Sequence, residues 1–219
     1  KIDSHVVIKS NTTLGKNCRI FQGANLGEIP QDIKFMNEYS TLVIGSNTTV
    51  REFATLNRGT KNRGETTIGS NVLLMAYVHI GHDSDVKDYA ILANGVQLGG
   101  HVNIGYHATV GGMTPVHQFC KVGDFAFIGG GFRVVQDIPP YILVAGEPLK
   151  FSGINSIGLR RKGFKPKIRT QIKLAYNYIY RSELNITQAI KKIKKELPNS
   201  QEIQNILQFL DKTNRGIIS

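Results

Sequence analysis

Reading the chain in steps of six residues from Ile2 puts an aliphatic side chain at almost every stop as far as Val134. Ile, Leu or Val fills 20 of these 23 positions, the exceptions being Asp32, Glu38 and Asn62. Composition alone would place about nine apolar residues there, so the period belongs to the fold. It fits neither an amphipathic helix, with its period of 3.6, nor a plain strand, with its period of 2. It predicts a parallel β-helix in which each hexapeptide is one side of a triangular coil and its aliphatic side chain points into the prism. Three sides make a turn of about 18 residues, and successive turns stack at roughly 4.8 Å. Gly often follows the aliphatic residue, as in Leu14-Gly15, Ile68-Gly69 and Ile104-Gly105. The reading is that small residues at the corners let the chain turn tightly. One coil cannot bury its apolar column alone, so stability comes from the stacking of neighbours.

The three exceptions fall in two polar stretches, residues 28–41 and 57–65, after each of which the register returns on the same multiple of six. Both are expected to leave the coil as loops, a common place for binding residues on a rigid scaffold. After Val134 the repeat stops at Asp137-Ile138-Pro139-Pro140, and the spacing of apolar residues turns helical over 166–182, 186–197 and 200–212. The expected organisation is a mainly β hexapeptide-repeat coil over residues 1–148 and a small α-helical C-terminal domain over 149–219.

Charge sharpens that division. Residues 1–149 hold 12 Lys+Arg and 12 Asp+Glu, whereas residues 150–219 hold 15 and 4, so the whole formal charge of +11 sits in the last third. A basic module beside a neutral one implies an acidic partner. No apolar run approaches the roughly 20 residues that span a bilayer, so stable membrane insertion is not expected. Cys18 and Cys120 are isolated, which gives neither a disulfide framework nor a metal knuckle and makes a reducing cytoplasm the simplest compartment. The chain opens at Lys1 with neither an initiator Met nor a signal-peptide pattern, which reads as a missing true start.

Five of the six histidines lie between residues 79 and 117, where the repeat runs without a break. A turn of three hexads puts His82, Gly100 and Gln118 in one vertical column and Asp83, His101 and Phe119 in the next. His82-Asp83 is the candidate acid–base pair, since an imidazole can take a proton from an alcohol while an adjacent carboxylate orients it. The Gly100 N–H, one coil away, is placed to face a developing oxyanion. A rival reading draws three imidazoles from His79, His82, His101 and His117 onto a zinc ion, giving a metal-dependent hydrolyase. A third reading is a non-catalytic docking module.

The motifs His79-Ile80-Gly81-His82-Asp83, Gly99-Gly100-His101, Val116-His117-Gln118-Phe119-Cys120, Gln136-Asp137-Ile138-Pro139-Pro140-Tyr141 and Gly158-Leu159-Arg160-Arg161-Lys162-Gly163-Phe164 occur in this order. Together they resemble the UDP-N-acetylglucosamine O-acyltransferases that begin lipid A biosynthesis, over essentially the whole chain. The resemblance implies a left-handed parallel β-helix in a cytoplasmic homotrimer, with active sites between neighbouring prisms. An acidic acyl carrier protein delivers a 3-hydroxyacyl thioester, which the 3-hydroxyl of the UDP-sugar attacks. No cofactor, metal or nucleic acid is expected.

In that family's pattern His82 matches the general base, Asp83 its orienting carboxylate and Gly100 the oxyanion donor. His79, His101, His117 and Gln118 match residues around the substrate. Gln31, Asp32 and Lys34 match a loop that grips the sugar, and Asn155 and Arg161 match the nucleotide-contacting end. Ile157 stands where many members carry an acidic residue and Lys162 where many carry Arg, a change from a planar fork to a point charge. Two N-terminal coils of the family pattern are absent here. Gly130, within Gly129-Gly130-Gly131, is expected to leave an acyl-chain groove open, which favours a long acyl chain. A related N-acyltransferase acting on the later, O-acylated sugar is a close variant.

Overall fold

The computed structural model describes residues 1–213 and 215–219. Strands of mostly two residues form three sheets, and up to Phe127–Ile128 neighbours within each sheet are every third strand of the chain, the mark of a three-sided coil. The first face stacks Val7–Ile8, Asn25–Glu28, Thr55–Asn57, His79–Ile80, Gln97–Leu98 and Pro115–Val116. The second stacks Thr12–Leu14, Thr41–Ile44, Glu65–Ile68, Asp85–Val86, Asn103–Ile104 and Lys121–Val122. The third runs from Arg19–Ile20 through Thr49–Val50, Leu73–Leu74, Ile91–Leu92, Thr109–Val110 and Phe127–Ile128 to Ile142–Ala145. These pairings are parallel, and Lys150–Ile154 then closes the third face as an antiparallel edge. The architecture is the left-handed parallel β-helix followed by α-helices that the sequence leads one to expect.

Register follows the hexad. Ile80 pairs with Leu98 and Leu98 with Val116, each a step of three hexads. Earlier the steps are longer: Leu14 pairs with Ile44 across five hexads and Ile44 with Ile68 across four. The loops therefore add two hexads and one hexad, which is why the aliphatic register survives them. Inside the prism Val50, Leu74, Leu92, Val110 and Ile128 form one buried column of the third face.

A second buried column occupies the multiples of six, among them Cys18, Ala24, Ala54, Val78, Ser84, Ala90, Val102, Thr114 and Cys120. The aliphatic period does not reveal it, because its members mix apolar and hydroxyl residues. Hydroxyls of this column find partners on the backbone: Thr48 Oγ1 donates to the Gly69 carbonyl at 2.8 Å and Ser84 Oγ to the Gly99 carbonyl at 3.2 Å. The two isolated cysteines are thus small core residues, and burial pushes the Cys120 thiol up to about 11.

The expected role of glycine at the corners is corrected. The left-handed turn of each corner falls three residues after the inward aliphatic side chain and is taken mostly by other residues, including Asn71 (φ 58°), Asp83 (59°), His101 (61°) and Phe119 (66°). The Gly directly after the aliphatic residue serves close stacking: a Cβ on Gly105 would lie 2.6 Å from the Asp124 backbone nitrogen of the next coil.

Beyond the coil lie α1 (Ser156–Arg161), α2 (Pro166–Tyr180), α3 (Ile186–Glu196) and α4 (Gln201–Asp211). The apolar spacing does not predict α1; its signal is local, since Asn155 caps it by accepting from the Gly158 N–H at 3.1 Å. Helix α2 docks on the last strands through Tyr176, whose hydroxyl donates to the Pro140 carbonyl, and through Tyr180, stacked on Phe151 at 4.2 Å. Helix α3 carries a complete capping box between Asn185 and Gln188.

Candidate active site

The corner between the first and second faces carries residues 81–84, 99–102 and 117–120 of three successive coils. The His101 N–H donates to the His82 carbonyl at 2.9 Å and the Phe119 N–H to the Gly100 carbonyl at 3.1 Å, so the two vertical columns expected from the three-hexad turn are real. Backbone in the left-handed region at Asp83, His101 and Phe119 sets the direction of those three side chains. His101 stacks on Phe119 at 4.5 Å and meets His82 edge-on at 5.1 Å.

Asp83 is the anchor of the cluster. Its side chain is fully buried, and its Oδ2 lies 2.8 Å from His82 Nδ1. Thr60 donates to both carboxylate oxygens, through its N–H to Oδ1 at 2.9 Å and its hydroxyl to Oδ2 at 2.6 Å. Burial alone would raise the carboxyl pKa, but the hydrogen bonds from His82 and Thr60 outweigh it and hold the group below its usual range. An ionised carboxylate only accepts, so Nδ1 of His82 carries the hydrogen, and the lone pair of the neutral ring is at Nε2. That edge of the ring lies against Gly100: a Cβ there would stand 2.6 Å from both Cε1 and Nε2 of His82. Glycine at this position is what lets the imidazole lie over the neighbouring coil. Among the described residues no acceptor takes the Gly100 N–H, which leaves it available to a ligand.

A cavity of about 460 Å³ opens beside this group, lined by Gln31, Asn57, His79, His82, Gly100, His117 and Gln118 together with backbone of the first face. Gln31 arrives from the first polar loop, so that loop reaches the cavity as expected of a binding segment. Asp32 does not line it; its carboxylate accepts the Lys34 N–H at 3.0 Å and acts electrostatically on His101. Lys34 enters that pair through its backbone. His79 is held by Thr55, whose hydroxyl lies 2.8 Å from Nδ1, and burial, with His82 nearby, lowers its pKa. Burial also lowers that of His101, with Asp83 opposing the shift.

His101 borders a second cavity of about 390 Å³ on the other side of the corner, with Arg63, Asp85, Asn103, Phe119 and Lys121. Asn155 and Arg161 line a third, of about 490 Å³, with Ile157, Lys162, His107 and Phe125. Within one chain this third cavity is separate from the one at His82, and Gly130 borders neither. Asn155 is also committed locally, capping α1 and donating from Nδ2 to the Phe125 carbonyl at 3.0 Å.

The three-imidazole zinc reading lacks its geometry. Among the described residues the group of three potential ligands within 4.8 Å of one another is His82, Asp83 and His101, not His79, His82, His101 and His117.

Thr60 and Asn57 are the functional candidates that sequence reasoning missed. Both come from the second polar stretch, whose identity as a loop was the available signal. Asn57 Nδ2 donates to the Ile29 carbonyl at 2.6 Å, and the Lys61 N–H donates to Glu38 Oε1 at 3.0 Å, so the two loops brace each other.

Comparison with known proteins gives one consistent result. A family model described as Udp N-acetylglucosamine O-acyltransferase, domain 2, matches residues 137–218, and a model of the bacterial transferase hexapeptide, six repeats, matches residues 65–100. The chain is 44% identical over 208 residues to the acyl-[acyl-carrier-protein]–UDP-N-acetylglucosamine O-acyltransferase of Halorhodospira halophila, covering 94% of this chain and 81% of that protein. It is 46% identical over 200 residues to the enzyme of that name from Sulfurovum sp., covering 91% and 76%. Among solved structures, a UDP-N-acetylglucosamine acyltransferase from Bacteroides fragilis superposes with a TM-score of 0.98 at 43% identity, covering 100% of this chain and 86% of that one.

Proposed function

The chain belongs to the family of acyl-[acyl-carrier-protein]–UDP-N-acetylglucosamine O-acyltransferases, and from that membership we propose how its residues divide the work. The protein is an O-acyltransferase of the first step of lipid A biosynthesis, acting on an acyl carrier protein thioester and UDP-N-acetylglucosamine. His82 Nε2 accepts the proton of the sugar 3-hydroxyl as that oxygen attacks the thioester carbonyl of a 3-hydroxyacyl donor. The negative charge that develops on the carbonyl oxygen is met by the Gly100 N–H, and collapse of the tetrahedral intermediate expels the carrier thiolate, which takes up the proton held by His82. Asp83 keeps the imidazole in the tautomer that accepts at Nε2.

Gln31 of the first loop holds the sugar, with Asp32 and Lys34 shaping that loop; His79, His117 and Gln118 lie around the sugar, while His101 borders the other side of the corner. Asn155 and Arg161 take the nucleotide. Because their cavity is separate from that of His82 within one chain, a complete site joins the His82 edge of one prism to the Asn155 end of another, as in a homotrimer. Exposed Phe53 and Tyr77, stacked at 5.4 Å, and Met113 give the corner between the third and first faces an apolar strip suited to such an assembly.

In this reading residues 1–148 carry the chemistry and the basic residues 149–219 receive the acidic carrier protein. Gly130 leaves the acyl groove open, and the donor chain is long. No helix among the described residues is long and apolar enough to cross a membrane, and the reaction is placed in the cytoplasm, where carrier thioester and nucleotide sugar meet.

The observation that carries the assignment is the His82 ring anchored by Asp83 at 2.8 Å with its other nitrogen over Gly100. A transfer assay with UDP-N-acetylglucosamine and a ladder of 3-hydroxyacyl carrier proteins, read by product mass, tests it. His82→Ala is expected to lower turnover by about 10²- to 10⁴-fold; near-normal turnover would reject the role.

A further inference from the structure

We infer that Thr60 is a positioning residue of this reaction: from the second loop it grips both oxygens of the Asp83 carboxylate and thereby sets the orientation of the His82 imidazole. The inference rests on the reading of His82 as the base and names a residue that reading does not contain.

The geometry is specific in three ways. First, the hydroxyl of Thr60 has only one direction for its proton. Its oxygen already accepts the Asn62 N–H at 3.3 Å, so the O–H points along the 2.6 Å contact to Asp83 Oδ2. Second, Thr60 and His82 share that oxygen, at 2.6 and 2.8 Å, while the Thr60 N–H holds the other at 2.9 Å. The carboxylate plane is therefore fixed by the loop, and the imidazole aligns to it. Third, the loop is itself held. The Gly64 N–H bonds the Thr60 carbonyl at 2.7 Å and the Gly59 N–H bonds the Thr41 carbonyl at 3.2 Å. A Cβ on Gly59 would lie 2.4 Å from the Glu65 nitrogen, so the chain passes itself at a distance only glycine allows.

The charged or titratable groups facing Asp83 come from the coils, from the first loop and, in Arg63, from the same loop as Thr60. His82 and His101 sit on the coils, His101 Nε2 being 3.6 Å from Oδ2. Arg63 reaches the Asp83 carbonyl at 3.3 Å and Asp85 at 3.7 Å, and Asp32 acts on His101 from the first loop. Thr60 is the uncharged donor among them. Without its hydroxyl the buried carboxylate becomes more basic, which favours the protonated His82–Asp83 pair.

The experiment compares T60V, T60S and H82A with the parent enzyme, after thermal melts establish that each is folded. T60V is expected to lose about 10- to 100-fold in kcat with the KM of either substrate unchanged, because the hydroxyl bonds a charged group. The acid limb of its kcat profile moves to higher pH, and T60S restores most of the rate. In ¹⁵N-histidine spectra taken without substrates, the His82 Nδ1–H resonance shifts in T60V and returns in T60S. Wild-type kcat, acid limb and resonance in T60V would overturn the inference, as would a rise in KM alone. If T60V does not fold, T60A carries the same expectation. Full turnover in H82A would instead remove the general-base reading, while the resonance still reports on Thr60 by itself.

Discussion

Between Leu74 and Val134 the prism completes a turn every three hexads without interruption, whereas between Leu14 and Ile68 the same prism is stretched to steps of five hexads and then four. The two regions share one core, since Leu56 and Leu92 are equally inaccessible to solvent. Their contributions differ outside it. The regular coils align backbone and side chains by translation, which brings His82 over Gly100 and His101 over Asp83. Translation cannot bring a new residue type to an occupied column. The loop-bearing coils do that, delivering Gln31 to the cavity and Thr60 to the carboxylate. A repeat makes the frame of a site, and its interruptions supply what the frame lacks.

The largest effect that would break this comparison is deletion of residues 58–63. One hexad is removed, the step from Leu56 to Ile80 falls from four hexads to three, and the coil keeps its register. The protein is expected to keep its β-helix circular dichroism while turnover falls by about 100-fold or more, the low end of what a misplaced base loses. Retained turnover would mean that the second loop has no part in the chemistry.

Inside the prism the two regions should behave alike. Leu92→Ala and Leu56→Ala are each expected to destabilise the fold by about 2–5 kcal/mol in denaturant titrations, as buried Leu truncations do. A several-fold difference between them would show that the interrupted coils have a looser core.

The smallest effect concerns acid. His79 and His101 both have lowered folded pKa values, so the unfolded chain binds protons first as pH falls. Their contribution is complete above about pH 6.5 and declines below it, and that of Asp83, likewise lowered, is lost only below about pH 4. Melting temperature is expected to fall modestly between pH 7 and 5 and less so in His101→Gln. A flat profile in the parent protein would contradict the burial of those rings.

Much of this molecule could be read from its letters because an inward position that recurs every six residues leaves a one-dimensional trace. The aliphatic stops, the two loops, the start of the helical segment and the His82 column all follow from that trace. The second buried column did not, since Ser84, Thr114 and Cys120 pass for polar residues until their hydrogen bonds and burial are known. Gly23, Gly95 and Gly131 do turn corners, whereas the Gly directly after the aliphatic residue serves close approach; a sequence does not distinguish a positive φ from a tight contact.

What the sequence by itself determined is therefore the frame: a three-sided coil, its period, its breaks and the alignment of imidazole with glycine one turn away. Tertiary structure alone decided which nitrogen of His82 is free and which residue grips Asp83, and it left Asn155 and Arg161 in a cavity of their own. The reason is physical. Periodicity encodes position along a column, whereas Thr60 meets Asp83 from 23 residues away through a loop with no period, and a hydrogen bond depends on direction that no spacing records.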